Sequence, residues 1–264
     1  MKPDCVLIFA AHADDTEFWA GGTVARWVAE GREVYEVITT NNERGSFELD
    51  RQTLIAASRD KEAREAARIL GKKDLFFLEY PDGFLGDYAV NEIREKYIKI
   101  IRRLKPQTVM TFDPWAPFEP HPDHRRVATA AMEAVGFAHM PLFHPEHLAE
   151  GLTAHLVPET YYFAKKTHEM NQVVDISGFI EKKIDAICAH DSQMKAMIDE
   201  LRLSLGAAGI DPATLVMLDR NNYRPVLEMG IRGWAEKVGV PVGYAYAEEF
   251  RIERAGDIVR ELLG

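Results

Sequence analysis

Apolar positions along the first half of the chain alternate between two periods. The run "CVLIFAAH" (5–12) is short and continuously apolar, the pattern of a strand covered on both faces. Residues 17–30, "EFWAGGTVARWVAE", set Phe18, Val24, Trp27 and Val28 at helical spacing, and Gly31 follows as a stop. "EVYEVITTN" reads as a second strand. Residues 51–70 predict one longer helix through Leu54, Ile55, Ala63, Ala66, Ala67 and Leu70, with Gly71 as its cap. "DLFFLEY" is the third strand and 90–104 an amphipathic helix ended by Lys105-Pro106. "TVMTF" is the fourth strand, and a helix follows over 124–138.

Strands alternating with helices of this length predict an α/β fold with a mostly parallel sheet flanked by helices. The second half is less periodic. "TYYFAKK" and "NQVVDIS" read as a hairpin pair, 178–205 as helix, and "GYAYAEEFRI" as a final strand. No repeat, low-complexity segment or linker interrupts the chain, so 1–264 is expected to be a single domain with a C-terminal elaboration.

Open parallel sheets bind ligands beyond the carboxyl ends of their strands, near a switch in strand order. Two polar clusters occupy such places: "HADD" after the first strand and "DPWAPFEPHPDH" after the fourth. His12 and Asp15 are three residues apart, as are His121 and His124. Pro122 stiffens the second turn, and Asp123 stands at a helix N-cap position. Two imidazoles, one carboxylate and an open position make a common form of catalytic zinc site. A lone His-x-x-Asp is more often a capped helix start, and a lone His-x-x-His is usually structural. Both at strand mouths of one sheet shift the balance to a metal.

The neighbouring groups suit hydrolysis. Asp14 stands beside Asp15 and can take a proton from a water that the metal activates. His121 need not bind metal if His124 does; held by Asp123, it would stay protonated and face an oxyanion. This equipment suits cleavage of an amide or ester. The same ligand types also build the facial triad of non-haem Fe(II) oxygenases, which has no use for a carboxylate such as Asp14. Nucleotide binding finds little support, since no GxGxxG follows the first strand and "AGGT" lies inside the helical pattern.

"AHADDTEFWAGGT" resembles the AHPDDxE signature of the LmbE-like (PIG-L) zinc-dependent N-acetylglucosaminyl deacetylases, and "HPDH" resembles their second signature. "TTNNERG", "RDKEAREAARILG", "YPDG", "AHDSQ" and "AEEF" follow in the family's order, so the likeness spans nearly the whole chain. "DPWAPFEPHPDHR" with "VVDIS" looks most like the diacetylchitobiose deacetylase branch.

The resemblance implies a Rossmann-like fold and one Zn²⁺ per chain, bound by His12, Asp15 and His124. It implies Asp14 as general base and His121 as partner of the tetrahedral intermediate. Glu43, Arg59 and Asp82 match positions that surround the sugar. The implied reaction removes acetyl from an N-acetylglucosamine-type sugar, free, chitobiose-like or conjugated, and the chitobiose branch suggests a homo-oligomer. A non-catalytic sugar-binding relative is disfavoured because every expected ligand and catalytic type is present. One departure stands out: Ala13 replaces the family's proline and gives up some stiffness.

Other singled-out residues have competing readings. Arg59 and Glu62 suit either a surface ion pair or a substrate role for Arg59. His190 suits packing or support of the site. Trp115 and Phe118 suit a sugar-stacking wall or loop packing. His139, His144, His147 and His155 crowd an apolar, Pro-containing tract that reads as an ordered loop rather than a second metal site.

Composition narrows the partners. Hydrophobic residues make up 47% and charged residues 28%, with a formal net charge of -10. The acidic balance argues against nucleic acid, whose binding needs a basic face, and against an anionic membrane surface. Cys5 and Cys188 form no CxxC pair and are expected to be reduced, buried and inert. No apolar leader precedes the first strand and no apolar run reaches membrane-spanning length, so a cytoplasmic location is expected.

Overall fold

The computed structural model describes residues 4–166, 169–211 and 218–263. Its strands are β1 (Cys5–Ala10), β2 (Glu33–Thr40), β3 (Asp74–Tyr80), β4 (Thr108–Phe112), β5 (Glu159–Phe163), β6 (Gln172–Asp175) and β7 (Ala247–Arg254). They form a seven-stranded sheet in the order β3-β2-β1-β4-β5-β7-β6. The first five strands in that order run parallel, with Val6 beside Val34 on one side and Thr108 on the other. β7 runs antiparallel to both β5 and β6. The expected α/β fold with a mostly parallel sheet is therefore present.

β1 is the hinge of the topology. The chain winds outward from β1 to β2 and β3, then returns to place β4 on the opposite side of β1. That reversal opens a crevice beyond the ends of β1 and β4. Val6 to Ala10 of β1 are wholly buried, as expected for a strand covered on both faces. Helix α1 (Asp15–Ala29) leads from β1, and α2 (Arg51–Ala57) and α3 (Ala63–Leu70) lead from β2. Helix α4 (Val90–Leu104) precedes β4 and packs on α5 (Pro122–Phe137), which follows it. The short α6 (Pro145–Ala149) comes before β5; α7 (Ile180–Cys188), α8 (Asp191–Ala207) and α9 (Arg224–Gly239) lie between β6 and β7; α10 (Asp257–Leu263) ends the described chain.

Five expectations for these elements differ. The 51–70 helix is interrupted by a π-helical turn over Ser58–Glu62, which turns Glu62 inward: its carboxylate accepts the Ser192 N–H at 2.8 Å and the Ser192 hydroxyl at 2.7 Å. The expected Arg59–Glu62 pair is therefore absent. The 178–205 helix is two helices, because His190 leaves helical geometry at φ -85, ψ 60. The 17–30 and 124–138 helices each begin two residues earlier. β5 and β6 do not pair as a hairpin, since β7 lies between them.

The two glycines inside α1 serve close packing. A Cβ on Gly22 would stand 2.7 Å from Ile176, and one on Gly21 3.3 Å from Lys183. Lys183 Nζ donates to the Phe18 carbonyl at 2.6 Å, while Glu248 accepts the N–H groups of Gly22 and Thr23 at 3.0 and 2.7 Å. The buried Lys183–Glu248 pair, 2.5 Å apart, thus clips α1 to β7.

Candidate active site

The turn from β1 into α1 folds around its own carboxylate. Asp15 Oδ2 accepts the N–H groups of Ala11 at 2.9 Å and His12 at 2.7 Å. Asp15 is the first residue of α1, where the helix dipole favours negative charge. Ala13 donates its N–H to Asn42 Oδ1 at 2.9 Å, which ties the turn to the end of β2. Asp14 is the N-cap, yet its side chain caps nothing and faces the crevice. Burial, and then the Asp15 carboxylate beside it, push the Asp14 carboxyl up to about 7.

The second cluster is carried by the connection from β4 to α5. His121 is the N-cap of α5 and Pro122 its first residue, a position that needs no N–H donor. His121 Nδ1 accepts the Asp123 N–H at 3.2 Å. A ring nitrogen that accepts carries no proton, so the His121 proton resides on Nε2 and the ring is neutral. Burial, then His12 and His124, also lower its pKa. The Nδ1 bond favours a neutral His121 that donates from Nε2 over the expected protonated ring. Asp123 holds it through its backbone N–H and not through its side chain: the Asp123 carboxylate accepts the Gly83 and Leu85 N–H groups at 2.6 and 3.1 Å and lies 3.5 Å from His12 Nε2.

The two clusters meet. His124 Nε2 lies 3.3 Å from both Asp15 Oδ1 and His12 Nδ1, and His12 Nδ1 lies 3.6 Å from Asp15 Oδ2. Ligand atoms at zinc bonding distances and tetrahedral angles would stand about 3.3–3.6 Å apart. The opposite ring nitrogens face carboxylates, His12 Nε2 towards Asp82 Oδ1 at 3.1 Å and His124 Nδ1 towards Glu119 Oε1 at 3.2 Å. Those contacts take one ring proton of each histidine outward, so that a cation replacing the inward protons would meet two lone pairs and a carboxylate. Burial alone would lower the His124 pKa, but Asp15 and then Glu119 outweigh it and push it up to about 9. His12 is held up against burial by Asp15, then Asp123 and Asp82, and Asp15 is pulled below its ordinary range by His124 and His12 despite its burial. Positive charge is favoured at the meeting point. His121 offers a further nitrogen there, within 4.8 Å of one each from His12 and His124.

A cavity of about 360 Å³ opens over this point, lined by the two clusters with Asn42, Arg44, Gly45, Asp82, Gly83 and Gln193. Asp82 lines it, but its carboxylate is engaged by His12 and by the Arg44 N–H at 3.1 Å, so it supports the site as well as facing it. Glu43 is not among the lining residues and lies 3.5 Å from Arg44. Arg59 is also outside, 39% exposed and paired with Asp60 and Glu79. Trp115 and Phe118 stand 65% and 85% exposed and do not line the cavity. His190 is buried behind α1, 3.8 Å from Glu17, and burial then Lys72 hold it down at about 3.

The sequence reading missed Asn42, Arg44, Glu119 and Gln193. The first two flank Glu43 within "TTNNERG", and Gln193 ends "AHDSQ". None of the four later histidines lines the cavity. His147 is held between Arg102 and Glu95, and buried Arg102 binds the carbonyls of Ala138, Met140, Phe143 and His144. An arginine staple thus holds that tract, which includes α6, and His144, Glu146 and His147 in it bring ligand atoms within 4.8 Å of one another. Cys5 and Cys188 are free and only half-buried; burial and then Glu33 push the Cys5 thiol up to about 11.

Comparison with known proteins agrees with the geometry. A family model described as PIG-L, GlcNAc-PI de-N-acetylase, matches residues 7–135. Diacetylchitobiose deacetylase of Thermococcus kodakarensis is 34% identical over 198 residues, 74% of this chain and 72% of that protein. A probable N-acetyl-α-D-glucosaminyl L-malate deacetylase of Bacillus anthracis is 29% identical over 75% of this chain and 84% of its own. The structure of N,N'-diacetylchitobiose deacetylase from Pyrococcus horikoshii, in complex with an inhibitor, superposes with a TM-score of 0.77 at 31% identity, covering 96% of this chain and 85% of that one. The chain belongs to the PIG-L (LmbE-like) family of deacetylases.

Proposed function

We propose that this protein is a zinc-dependent hydrolase that removes acetyl from the nitrogen of an N-acetylglucosamine-type sugar, releasing acetate and a free amine. The observation that carries this reading is the convergence of His12 Nδ1, Asp15 and His124 Nε2 beside the uncommitted carboxylate of Asp14. His12, Asp15 and His124 would hold the metal, which when bound would supply Lewis-acid polarisation of the acetyl carbonyl and activation of water. Asp14 takes the proton from the attacking water. His121 donates its Nε2–H to the developing oxyanion from a neutral ring, fixed by the N-cap bond through Nδ1. The amine leaves protonated as the C–N bond breaks, and the proton that Asp14 received balances that step. Arg44, Asp82 and Gln193 line the space left for the sugar.

Relatives named for diacetylchitobiose, N-acetylglucosaminyl malate and acetamido-deoxyglucopyranosyl inositol support the substrate class. Among the described residues no helix is long and apolar enough to cross a membrane. The test is acetate release by zinc-loaded protein from N-acetylglucosamine, diacetylchitobiose and conjugated N-acetylglucosamines, beside a chelated control. Chelator-sensitive release is expected. Release from no sugar, by protein shown to hold zinc, would reject the deacetylase reading.

A further inference from the structure

His124 is gripped on three sides. Phe112 stacks on one face, with ring centroids 4.1 Å apart and planes 15° apart, and His121 on the other at 4.5 Å and 22°. Stacking fixes the plane of an imidazole but is nearly blind to its orientation within that plane. A ring turned by 180° fills the same slot with carbons where nitrogens were. A neutral imidazole also has two tautomers, and only one leaves Nε2 free to bind.

Glu119 resolves both ambiguities. Its Oε1 lies 3.2 Å from His124 Nδ1 and accepts the His121 N–H at 3.0 Å. The carboxylate has no donor of its own, so it demands a proton on Nδ1 and leaves the Nε2 lone pair pointing at Asp15 and His12. Its side chain is 9% exposed, which shields that hydrogen bond from water. The same oxygen ties His121 to His124, so one group sets the start of α5 and the orientation of the ring. His12 shares its outward nitrogen between Asp82 and Asp123, whereas His124 has Glu119 alone as its outward carboxylate among the described residues.

We propose that Glu119 is a positioning residue for the metal: its carboxylate holds His124 in the orientation and tautomer that present Nε2 to the ion. The inference rests on His124 being a ligand. Metal affinity tests it, apart from turnover. Zn²⁺ dissociation constants would be measured by competition with a chromophoric chelator on stripped wild type, Glu119→Gln, Glu119→Ala and His124→Ala. Urea midpoints of the same stripped proteins would be measured in parallel.

Glu119→Ala is expected to weaken zinc about 10- to 100-fold with its urea midpoint kept. Glu119→Gln should recover part of that loss, because its amide oxygen still accepts from Nδ1. His124→Ala should lose more than either. Wild-type affinity in Glu119→Ala, beside a collapse in His124→Ala, would overturn the inference and leave the ligand reading intact. A loss in Glu119→Ala matched by a fallen midpoint, with no recovery in Glu119→Gln, would also overturn it by assigning the effect to the fold. Wild-type zinc binding by His124→Ala would remove the ligand reading, and this inference with it. Tight zinc binding without deacetylation would count against the proposed reaction alone.

Discussion

Asn42 takes the backbone N–H of Ala13 on its side-chain oxygen at 2.9 Å, and this bond stands where the family signature has a proline. Proline would stiffen the turn through its fixed φ but has no N–H to give. Here the turn is held by a hydrogen bond to the end of β2 instead. Asn42 itself sits at φ 56, a left-handed conformation that asparagine tolerates better than most residues. Asn42→Gly relieves that conformation while leaving the buried Ala13 N–H unpartnered, so it is expected to cost about 1–3 kcal/mol in urea unfolding. Asn42→Ala should cost about 1–2 kcal/mol more, for a Cβ in the left-handed region. A glycine variant as stable as wild type would show that the bond contributes no more than the left-handed conformation costs.

Asp14→Asn is expected to keep zinc, measured by elemental analysis, and to lose about 10²- to 10⁴-fold in kcat. The carboxylate is the working form, so turnover should fall as pH drops through its pKa. Burial and Asp15 raise that pKa to about 7, and a cation beside it lowers it. The acid limb of the kcat/KM profile should therefore lie at or below about pH 7 and should vanish in Asp14→Asn. Near-wild-type turnover by this variant would remove Asp14 from the base role.

The chemistry was legible in sequence where it is written contiguously. "HADD" and "HPDH" each place their groups through one turn, and the alternation of strands and helices puts both at strand ends that the topology brings side by side. Contacts made at a distance were not legible. Asp82 reaches His12 across 70 residues, and no local pattern marks that partnership. Strand pairing in the second half failed for the same reason. Apolar period identifies β5 and β6 as strands, but a strand more than 70 residues further on separates them. Glu119 was in reach of a closer reading, since an acidic residue two before His121 can fold back on the turn it precedes.

Asp82 is the residue for which structure changes the expectation most. A purely sugar-binding aspartate would alter KM and leave the metal alone. Its Oδ1 instead holds His12 Nε2, and its Oδ2 and backbone carbonyl hold Arg44. Asp82→Ala is therefore expected to weaken zinc about 10-fold or more and to raise KM as Arg44 loses its anchor. Asp82→Asn should restore part of the metal affinity. A raised KM with an unchanged zinc dissociation constant would return Asp82 to a role toward substrate only.

The Lys183–Glu248 pair joins the far half of the chain to the helix that carries Asp14 and Asp15. Lys183 occupies the Phe18 carbonyl and Glu248 the N–H of Gly22, which are partners four apart in a regular helix, so the ion pair splices into the ladder of α1. Both side chains are almost wholly buried. Removing one charge strands the other, so Lys183→Met is expected to destabilise by about 3–5 kcal/mol in urea unfolding. The double variant Lys183→Met/Glu248→Gln removes the stranded charge and should recover a large part of that loss. Additive single-variant effects would show that the two charges do not act as a pair. Full stability in Lys183→Met would show that α1 closes its own ladder without them.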